Sequence, residues 1–293
     1  MEFALKLPEE ILKEVLCYVL YRERVSFDPV EFEMEEDWEA PDFAFSYADT
    51  ERPRVNASTL LVCKQWYRVG MPLLYESVLI KDTTRLKTLA TTLQNRPEIG
   101  PKIRRLRLAN AFGKDLVTVL ELTPNIHTLS ICTHVTSRTS VAGLRKALLK
   151  RRMAGAPTRL LLESPPFWTR PRVNAATKDM LACIIVLVSN WPELKRIDIG
   201  GEELPNWCYT LLEGAEGLEY VGVSVDVAED MLDLEKEAAL RTVKKPGFKN
   251  VLCRASQRVV DEMKKSHPSP VADALISEES EYQWKSDLLT IWN

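Results

Sequence analysis

The sequence has no long hydrophobic run, few histidines and glycines, and almost no charge excess. Its 293 residues include 3 His, 11 Gly and 6 Cys, and the formal net charge is −3. The longest apolar run, residues 180–188, is far shorter than the roughly 20 residues that span a bilayer. A nearly balanced charge also lacks the positive field that non-specific nucleic-acid or anionic-membrane binding requires. We therefore expect no nucleic-acid and no membrane partner.

Signal-peptide and disulfide patterns are also missing. The N-terminus, MEFALKLPEE, has acidic residues where a signal peptide needs a basic region. The cysteines occur singly, without a CxxC pair, which is typical of reduced and mostly buried thiols. These features predict an intracellular protein, cytoplasmic and/or nuclear.

Motifs for catalysis and cofactor binding are scarce. No glycine-rich phosphate loop follows a predicted strand, and there is no GxSxG-type elbow. His127, Cys132 and His134 come closest to a metal cluster, but a strand would place His127 on the opposite side from the other two. We expect no metal, no cofactor and no catalytic activity. The alternative is a hydrolase on a parallel sheet, which requires Ser130, His134 and an acid within hydrogen-bonding distance.

The chain does contain enough apolar side chains for a sizeable core. Hydrophobic residues make up 45% and charged residues 28%, which is ordinary for a globular protein, and the length suggests roughly two domains. We predict a helical domain over residues 1–80 and a repeat domain over residues 81–265. Residues 266–293 are predicted to form a C-terminal cap or tail.

The first predicted helix carries more apolar surface than one core requires. Pro8 suits the first helical position, and Glu9 and Glu10 complement the positive end of the helix. Its apolar residues cover an arc of roughly 220°, about twice the stripe that packs on a single core. They are Leu7, Ile11, Leu12, Val15, Leu16, Val19 and Leu20.

An acidic insertion at about residues 23–54 separates this helix from the next helical segment. Residues 22–54 contain 11 acidic and 4 basic side chains, a net charge of −7, together with three prolines. The pattern predicts an exposed segment, either a solvated spacer or a charged loop that binds a partner.

A second helical segment follows the insertion. Asn56 or Ser58 can cap it, Gly70 with Pro72 is expected to end it, and a strand is predicted at residues 78–80. The helices of this domain amount to about forty residues, below the size at which a chain usually buries its own core. We expect a partner protein to cover the excess apolar surface. The alternative is a subdomain that packs on the rest of the chain.

Two blocks, LPEEIL and STLLVCKQWYRVGMPLLYESVLI, resemble an F-box. The Leu-Pro start, the VCKxW element and the following PxLY carry the resemblance, which covers about a fifth of the chain and departs from the family pattern in the long insertion. The resemblance implies a module that docks a Skp-type adaptor and, through it, a cullin-RING ubiquitin ligase. The positions that it assigns to adaptor contact are Leu7, Pro8, Ile11, Leu12, Leu61, Val62, Cys63 and Trp66.

A degenerate repeat occupies the next part of the chain. The phrases PKIRRLRL, PNIHTLSI and PELKRIDI begin at residues 101, 124 and 192, and weaker forms begin at 217 and 247. Their spacings fit leucine-rich units, with room for one more unit near APTRLLLE. Helices are predicted between the strands, the last of them preceded by Asp226 and Glu229 as a capping-box pair.

This alternation predicts the α/β class, with parallel strands and outer helices. It resembles the irregular leucine-rich repeats found downstream of F-boxes, and a compact doubly wound α/β domain is the alternative. Trp284, Leu288, Leu289 and Trp292 near the C-terminus have near-helical spacing, which predicts a cap on the last repeat or, alternatively, a peptide that docks a partner.

A solenoid presents alternate strand residues on a concave surface, where we expect substrate to bind. Basic residues there could meet an acidic substrate or the acidic insertion, or they could simply be solvated. The predicted substrate-binding residues are Arg105, Arg107, Thr128, Ser130, Arg196, Asp198 and Tyr220.

The function predicted from these patterns is that of a substrate-recognition subunit of an SCF-type ubiquitin ligase. Its partners would be a Skp-type adaptor, through it a cullin, and a protein substrate. The alternative is a non-catalytic leucine-rich-repeat scaffold, in which the first helices only cap the solenoid.

Overall fold

The computed structural model describes most of the predicted repeat domain and the two predicted helical segments before it. None of the helices in these ranges has the length and apolar content needed to cross a bilayer. The acidic insertion, His134 and the segment 278–293 lie outside the described residues. The described residues are 7–20, 57–109, 112–133, 135, 141–150, 157–163, 174–200, 206–233, 237–253, 255 and 257–277.

Eight strands form one parallel sheet, and their order in the sheet is their order along the chain. A doubly wound sheet reverses its strand order at a switch point, and the described strands show no such reversal. The structure therefore confirms the α/β class and the parallel sheet and is consistent with a repeat solenoid. The strands are β1 (Ser77–Ile80), β2 (Arg105–Leu108), β3 (Thr128–Cys132), β4 (Arg159–Glu163), β5 (Arg196–Gly200), β6 (Tyr220–Val223), β7 (Asn250–Cys253) and β8 (Leu275–Ser277).

Helices alternate with the strands and pack on one face of the sheet. The apolar strand residues on that face, such as Leu106, Leu129 and Ile197, share one continuous core with the helices. Alternate strand residues point to opposite faces of the sheet, so the residues between these apolar ones lie on the face away from the helices. The helices are α1 (Glu9–Leu20), α2 (Lys64–Glu76), α3 (Thr83–Asn95), α4 (Leu116–Leu122), α5 (Ala142–Lys150), α6 (Ala175–Val188), α7 (Asn206–Gly214), α8 (Val225–Asp233), α9 (Glu237–Val243), α10 (Gln257–Ser266) and α11 (Pro270–Ala274).

The N-terminal module consists of α1, a 3-10 helix over Ala57–Leu61, and α2. It has a small core of its own, next to the main one. Met71 packs against both cores and so joins them. The residues fully enclosed in the small core are Leu12, Leu16, Leu20, Leu60 and Leu73.

The junction between the module and the sheet has no linker. Helix α2 ends at Glu76 and β1 begins at Ser77. The Arg104 N–H donates to the Glu76 carbonyl at 3.0 Å, and Arg96 Nη1 donates to the Tyr67 hydroxyl at 2.8 Å. Covalent continuity and these cross-contacts fix the module against the first strands.

The prediction that Gly70 and Pro72 end the second helix is wrong, because α2 continues to Glu76. A proline inside a helix costs about 3 kcal/mol, but here Leu73 is buried in the small core and offsets that cost. Gly70 serves close packing instead, since a Cβ there would lie 2.2 Å from Leu60 Cδ2.

Two other details differ from the sequence-based expectation. Helix α8 begins at Val225, before Asp226, and the hydroxyl of Ser224 accepts from the Val227 N–H at 3.4 Å, so Asp226 is not the cap. The sheet also extends through β8, beyond residue 265. A short strand of three residues is too brief for periodicity to reveal.

The cysteines are all free, but the expectation that most are buried is wrong. Cys208 and Cys253 are buried, and the other four are partly exposed. Burial raises the pKa of the Cys208 thiol well above its ordinary value. This thiol is therefore a small core side chain at neutral pH.

Gly100 is expected to tolerate no side chain. It lies in the 3-10 helix Pro97–Lys102, and a Cβ there would lie 1.8 Å from the carbonyl oxygen of Leu122. Because a backbone atom cannot rotate away, Gly100→Ala should lower the free energy of unfolding by about 2 kcal/mol in chemical denaturation. Gly113→Ala is the control, since its Cβ would meet Thr83 Cγ2 at an ordinary 3.4 Å. Equal losses in the two variants would contradict the expectation.

Candidate functional site

The first candidate surface is an apolar face on the N-terminal module, formed by Ile11, Val15, Leu61 and Val62. Their exposed fractions are 51%, 39%, 78% and 57%. Ile11 and Val15 are one turn apart on α1, so they lie on the same side of that helix. The 3-10 helix that ends at Leu61 packs against α1 through the shared small core. Two adjoining elements thus expose large apolar side chains.

The other residues that the F-box resemblance assigns to adaptor contact differ in exposure. Pro8 is exposed, whereas Leu7, Cys63 and Trp66 are partly buried. Leu12 is fully enclosed in the small core and stabilises the module from within. In this structure it cannot touch a second protein without rearrangement of α1.

Leu7 and Trp66 support the module from its edge. Both pack against the small core, and the side-chain amide of Gln65 donates to the Leu7 carbonyl at 3.2 Å. Arg68 forms an exposed ion pair with Glu9, which connects α2 to the first turn of α1. Exposed pairs of this kind contribute little free energy, so apolar packing holds the two helices together.

The second candidate surface is the side of the sheet away from the helices, which we call the concave face after the solenoid prediction. The register of neighbouring strands aligns its side chains in rows that cross the strands. The first concave row contains three arginines and no acid. Its members, in strand order, are Ser77, Arg105, Thr128, Arg159, Arg196, Tyr220 and Asn250.

A second concave row lies two residues further along each strand. Polar residues occupy its β2, β3 and β5 positions, whereas apolar residues occupy most of its other positions. Its members are Leu79, Arg107, Ser130, Leu161, Asp198, Gly222, Leu252 and Ile276.

Asp198 is a buried carboxylate on the concave face, and two arginines contact it. Its side chain is 0% exposed, and Arg159 Nε donates to Oδ2 at 2.6 Å while Arg196 Nη2 donates to Oδ1 at 2.8 Å. Burial alone would raise the pKa of Asp198, but the charges and hydrogen bonds of Arg159 and Arg196 outweigh it and hold the pKa below its ordinary value. Asp198 is therefore ionised at neutral pH and fixes both guanidinium groups.

Glu163, at the end of β4, is the common acceptor for a second set of polar side chains. Arg107 donates to Glu163 Oε2 from Nη2 at 2.6 Å and from Nε at 3.0 Å, and the Ser130 hydroxyl donates to Glu163 Oε1. Ser130 is fully buried beneath this pair. Two N–H groups of Arg107 on Oε2 and the Ser130 hydroxyl on Oε1 hold the carboxylate in one orientation.

Lysines flank the β6 end of the first concave row. Lys249 Nζ lies 2.6 Å from Glu219 Oε2 and 5.2 Å from the centroid of the Tyr220 ring, and Lys195 Nζ lies 3.2 Å from Glu219 Oε1. Hydrogen bonds from Lys249 and then Lys195 lower the pKa of Glu219. These contacts place cationic groups beside Tyr220.

The structure places all seven predicted substrate-binding residues on the concave face. Arg105 is exposed, Thr128 and Tyr220 are partly exposed, and Ser130 and Asp198 are buried. The buried pair can shape the surface but cannot contact a partner directly. The side chains that a partner could contact on this face are therefore cationic and aromatic.

The described residues hold no cluster of three or more side chains suited to a metal ion. His127 is exposed and Cys132 is partly buried. The Ser130 hydroxyl bonds to Glu163, and His134, which the hydrolase alternative also requires, lies outside the described residues.

Sequence reasoning missed three contributors to these surfaces. Val15 was counted in the apolar arc of the first helix but was not assigned to the docking face. Arg159 and Glu163 lie on the strand of the extra repeat near APTRLLLE. Aligning Leu160 and Leu162 of that phrase with Leu106 and Leu108 of PKIRRLRL would have placed Arg159 level with Arg105, as the register shows.

Comparison with known proteins adds no assignment for either surface. No family model, no curated protein and no solved structure matches this chain.

Proposed function

We propose that this chain is the substrate-recognition subunit of an SCF-type cullin-RING ubiquitin ligase. In this proposal the apolar face docks a Skp-type adaptor, and the concave face binds a protein substrate. The chain contributes binding, and partner enzymes carry out ubiquitin transfer. The observation that carries the proposal is the concentration of exposed apolar side chains on the N-terminal module.

Exposed apolar side chains are unevenly distributed among the described residues. Six large ones are exposed, and five of them belong to the N-terminal module. Single exposed apolar residues are normal, whereas clusters mark interaction surfaces. The five are Ile11, Val15, Leu61, Val62 and Tyr67.

The small core alone leaves this surface uncovered. Five apolar residues are buried in it, and none of them belongs to the apolar face. Covering the apolar face would remove further apolar area from water, at about 25 cal/mol per Å². A second protein that presents an apolar groove would supply that cover, as the F-box resemblance implies.

The linker-free junction suits a receptor that holds two partners. Helix α2 passes directly into β1, and Met71 packs against both cores. An adaptor on the module and a substrate on the concave face would then be held at a fixed separation. Fixed placement raises the effective concentration of a substrate lysine near a charged ubiquitin carrier.

A scaffold without ligase association is the second candidate. Its supporting observation is that Met71 and Tyr75 of α2 pack against the main core beside β1, as a solenoid cap would. A cap accounts for the buried side of α2. It gives no reason for the exposure of Ile11 or Leu61, which point away from the small core.

Binding of a purified Skp-type adaptor tests the proposal. We expect isothermal titration calorimetry to give a 1:1 complex with a Kd of about 1 μM or tighter, a binding free energy near −8 kcal/mol. A negative heat-capacity change should accompany binding, because apolar surface is buried. Absence of binding in a folded preparation would reject the ligase assignment and leave the scaffold.

A further inference from the structure

The hydrogen-bond ladder of the sheet includes the residue that precedes each strand from β1 to β7. We call these residues the edge row. Each of them after the first donates its backbone N–H to the carbonyl of its counterpart on the previous strand, at 2.8 to 3.0 Å. The edge row therefore runs beside the first concave row with the same spacing of about 4.8 Å per strand. Its members are Glu76, Arg104, His127, Thr158, Lys195, Glu219 and Lys249.

Positive charge is concentrated in these two neighbouring rows. The edge row has three basic and two acidic side chains, and the first concave row has three arginines and no acid. Asp198 of the second concave row contacts two of those arginines. With Asp198 included, these side chains hold six positive and three negative charges, a net charge of +3 in a chain whose net charge is −3. Because solvated surfaces usually mix both signs, this excess indicates an anionic partner.

The most accessible cations lie at the two ends of these rows. Arg104 and Arg105, at the start of β2, are exposed, and among the described residues their guanidinium groups form no ion pair. Near β7, Lys195 and Lys249 are more than half exposed and share one carboxylate, that of Glu219. Each end therefore has more positive than negative charge.

The distance between the two ends favours an extended anion over a compact one. Strands β2 and β7 are five strand spacings apart, which is about 24 Å. A single phosphate group is far smaller than this distance and cannot contact both ends. An extended peptide covers the distance with about seven residues, and every second side chain, about 7 Å apart, lies on the same side of it. Acidic residues at alternate positions of such a peptide would face the cations in turn.

We propose that the concave face binds an extended peptide segment rich in aspartate and glutamate, which crosses the strands from β2 to β7 along the edge row and the first concave row. Calling this peptide the recognition segment of a ligase substrate rests on the proposed function. The binding itself rests on the described side chains alone. Arg159 and Arg196, which Asp198 fixes between the two ends, add their charges to the field that the peptide meets.

Nucleic acid is the rival polyanion of similar length. Single strands bind by stacking their bases on aromatic side chains as well as by charge. In the two rows the aromatic side chains are His127 and Tyr220, and Lys249 lies over the Tyr220 ring. The chain as a whole is also acidic, which opposes binding to a long polyanion. These features favour an acidic peptide.

Fluorescence anisotropy with a labelled peptide and the full chain tests the proposal. The probe has about 12 residues, glutamate alternating with serine, and so is longer than the distance from β2 to β7. At low salt we expect a Kd of about 10 μM, and binding at least about tenfold weaker for a control peptide with glutamine in place of glutamate. Raising the salt concentration from about 50 to about 300 mM should weaken binding about tenfold, because exposed charges are screened. Equal binding of the two peptides would overturn the proposal.

Charge reversals show where the peptide lies. Arg105→Glu and Lys249→Glu, at exposed positions near the two ends, should each raise the Kd by about tenfold. Arg145→Glu makes the same change at an exposed position of α5, in the helix layer, and should leave the Kd unchanged. Circular dichroism checks that the variants are folded, and Lys195→Glu replaces Lys249→Glu if that variant is not. Equal responses to the reversals in the sheet and in the helix layer would overturn the proposal.

Two competitors separate the acidic peptide from other anions. Displacement of the probe by millimolar inorganic phosphate at matched ionic strength would indicate a compact anion site and overturn the proposal. So would a single-stranded RNA of equal charge that binds more tightly than the peptide and responds to Arg105→Glu. The adaptor is absent from all of these measurements. Failure of adaptor binding would therefore reject the ligase assignment alone, and failure of peptide binding would reject this inference alone.

Discussion

Replacing Leu61 with aspartate is expected to weaken adaptor binding by about 100-fold while the chain stays folded. Leu61 is 78% exposed, so its side chain contributes little to the interior of the module. A carboxylate at the centre of an apolar contact would have to be desolvated without a partner, which costs several kcal/mol. Calorimetric titration with the Skp-type adaptor would measure the loss.

Val186→Asp is the matched control for this experiment. Val186 is 47% exposed on α6, in the helix layer and outside the N-terminal module. The substitution makes the same chemical change at a position where no docking is proposed, so it should leave the adaptor Kd unchanged. Circular dichroism should show both variants folded. Equal affinities for the two variants would contradict the assignment of the apolar face.

Replacing Asp198 with alanine is expected to lower the free energy of unfolding by about 3 kcal/mol. The substitution leaves Arg159 and Arg196, whose side chains are 23% and 15% exposed, without the carboxylate that both of them contact. It also leaves a gap in the second concave row beside Leu161. Urea denaturation would measure the change, with Asp179→Ala on the exposed side of α6 as the control.

The loss caused by Asp198→Ala should depend on pH in a defined direction. The pKa of Asp198 in the folded chain lies below its ordinary value of 3.8. The carboxylate therefore stabilises the fold fully above about pH 4 to 5, and this contribution disappears as the pH falls through the folded-state pKa. The difference between the original chain and the variant should be constant near neutrality and shrink in acid. A difference that grows in acid would contradict this account.

The sheet was predictable because apolar residues recur at a fixed spacing in each repeat. Phrases such as PKIRRLRL and PNIHTLSI place a strand at the same point of each unit, and β2 and β3 pair with Arg105 opposite Thr128. Register follows from the alternation, since a shift of one residue would turn every apolar side chain outwards. The seven concave residues were therefore assigned to the correct face.

Burial on that face was not predictable from alternation alone. Period-two patterns tell which face a side chain occupies, but they do not tell what lies above it. Asp198 and Ser130 were expected at a binding surface and are buried, where Arg159 and Glu163 of β4 form hydrogen bonds with them. Such contacts between strands depend on side chains that are far apart in sequence.

In the N-terminal module, too, the sequence pattern predicted the elements but not which side chains are buried. An apolar arc of roughly 220° indicates that α1 has two apolar neighbours, but it does not say which residues face which neighbour. The structure turns Leu12 and Leu16 inwards and leaves Ile11 and Val15 outside. The predicted end of α2 failed for a related reason, since local glycine and proline signals were outweighed by the burial of Leu73.

Helix α2 continues directly into β1, so the N-terminal module is joined to the sheet without a linker. No residue lies between Glu76, the last residue of α2, and Ser77, the first residue of β1. In the proposed function, a substrate bound on the concave face would present for ubiquitin transfer those of its lysines that lie near the adaptor-bound end of the chain. Selection among bound proteins would then depend on where their lysines lie, in addition to how tightly they are held.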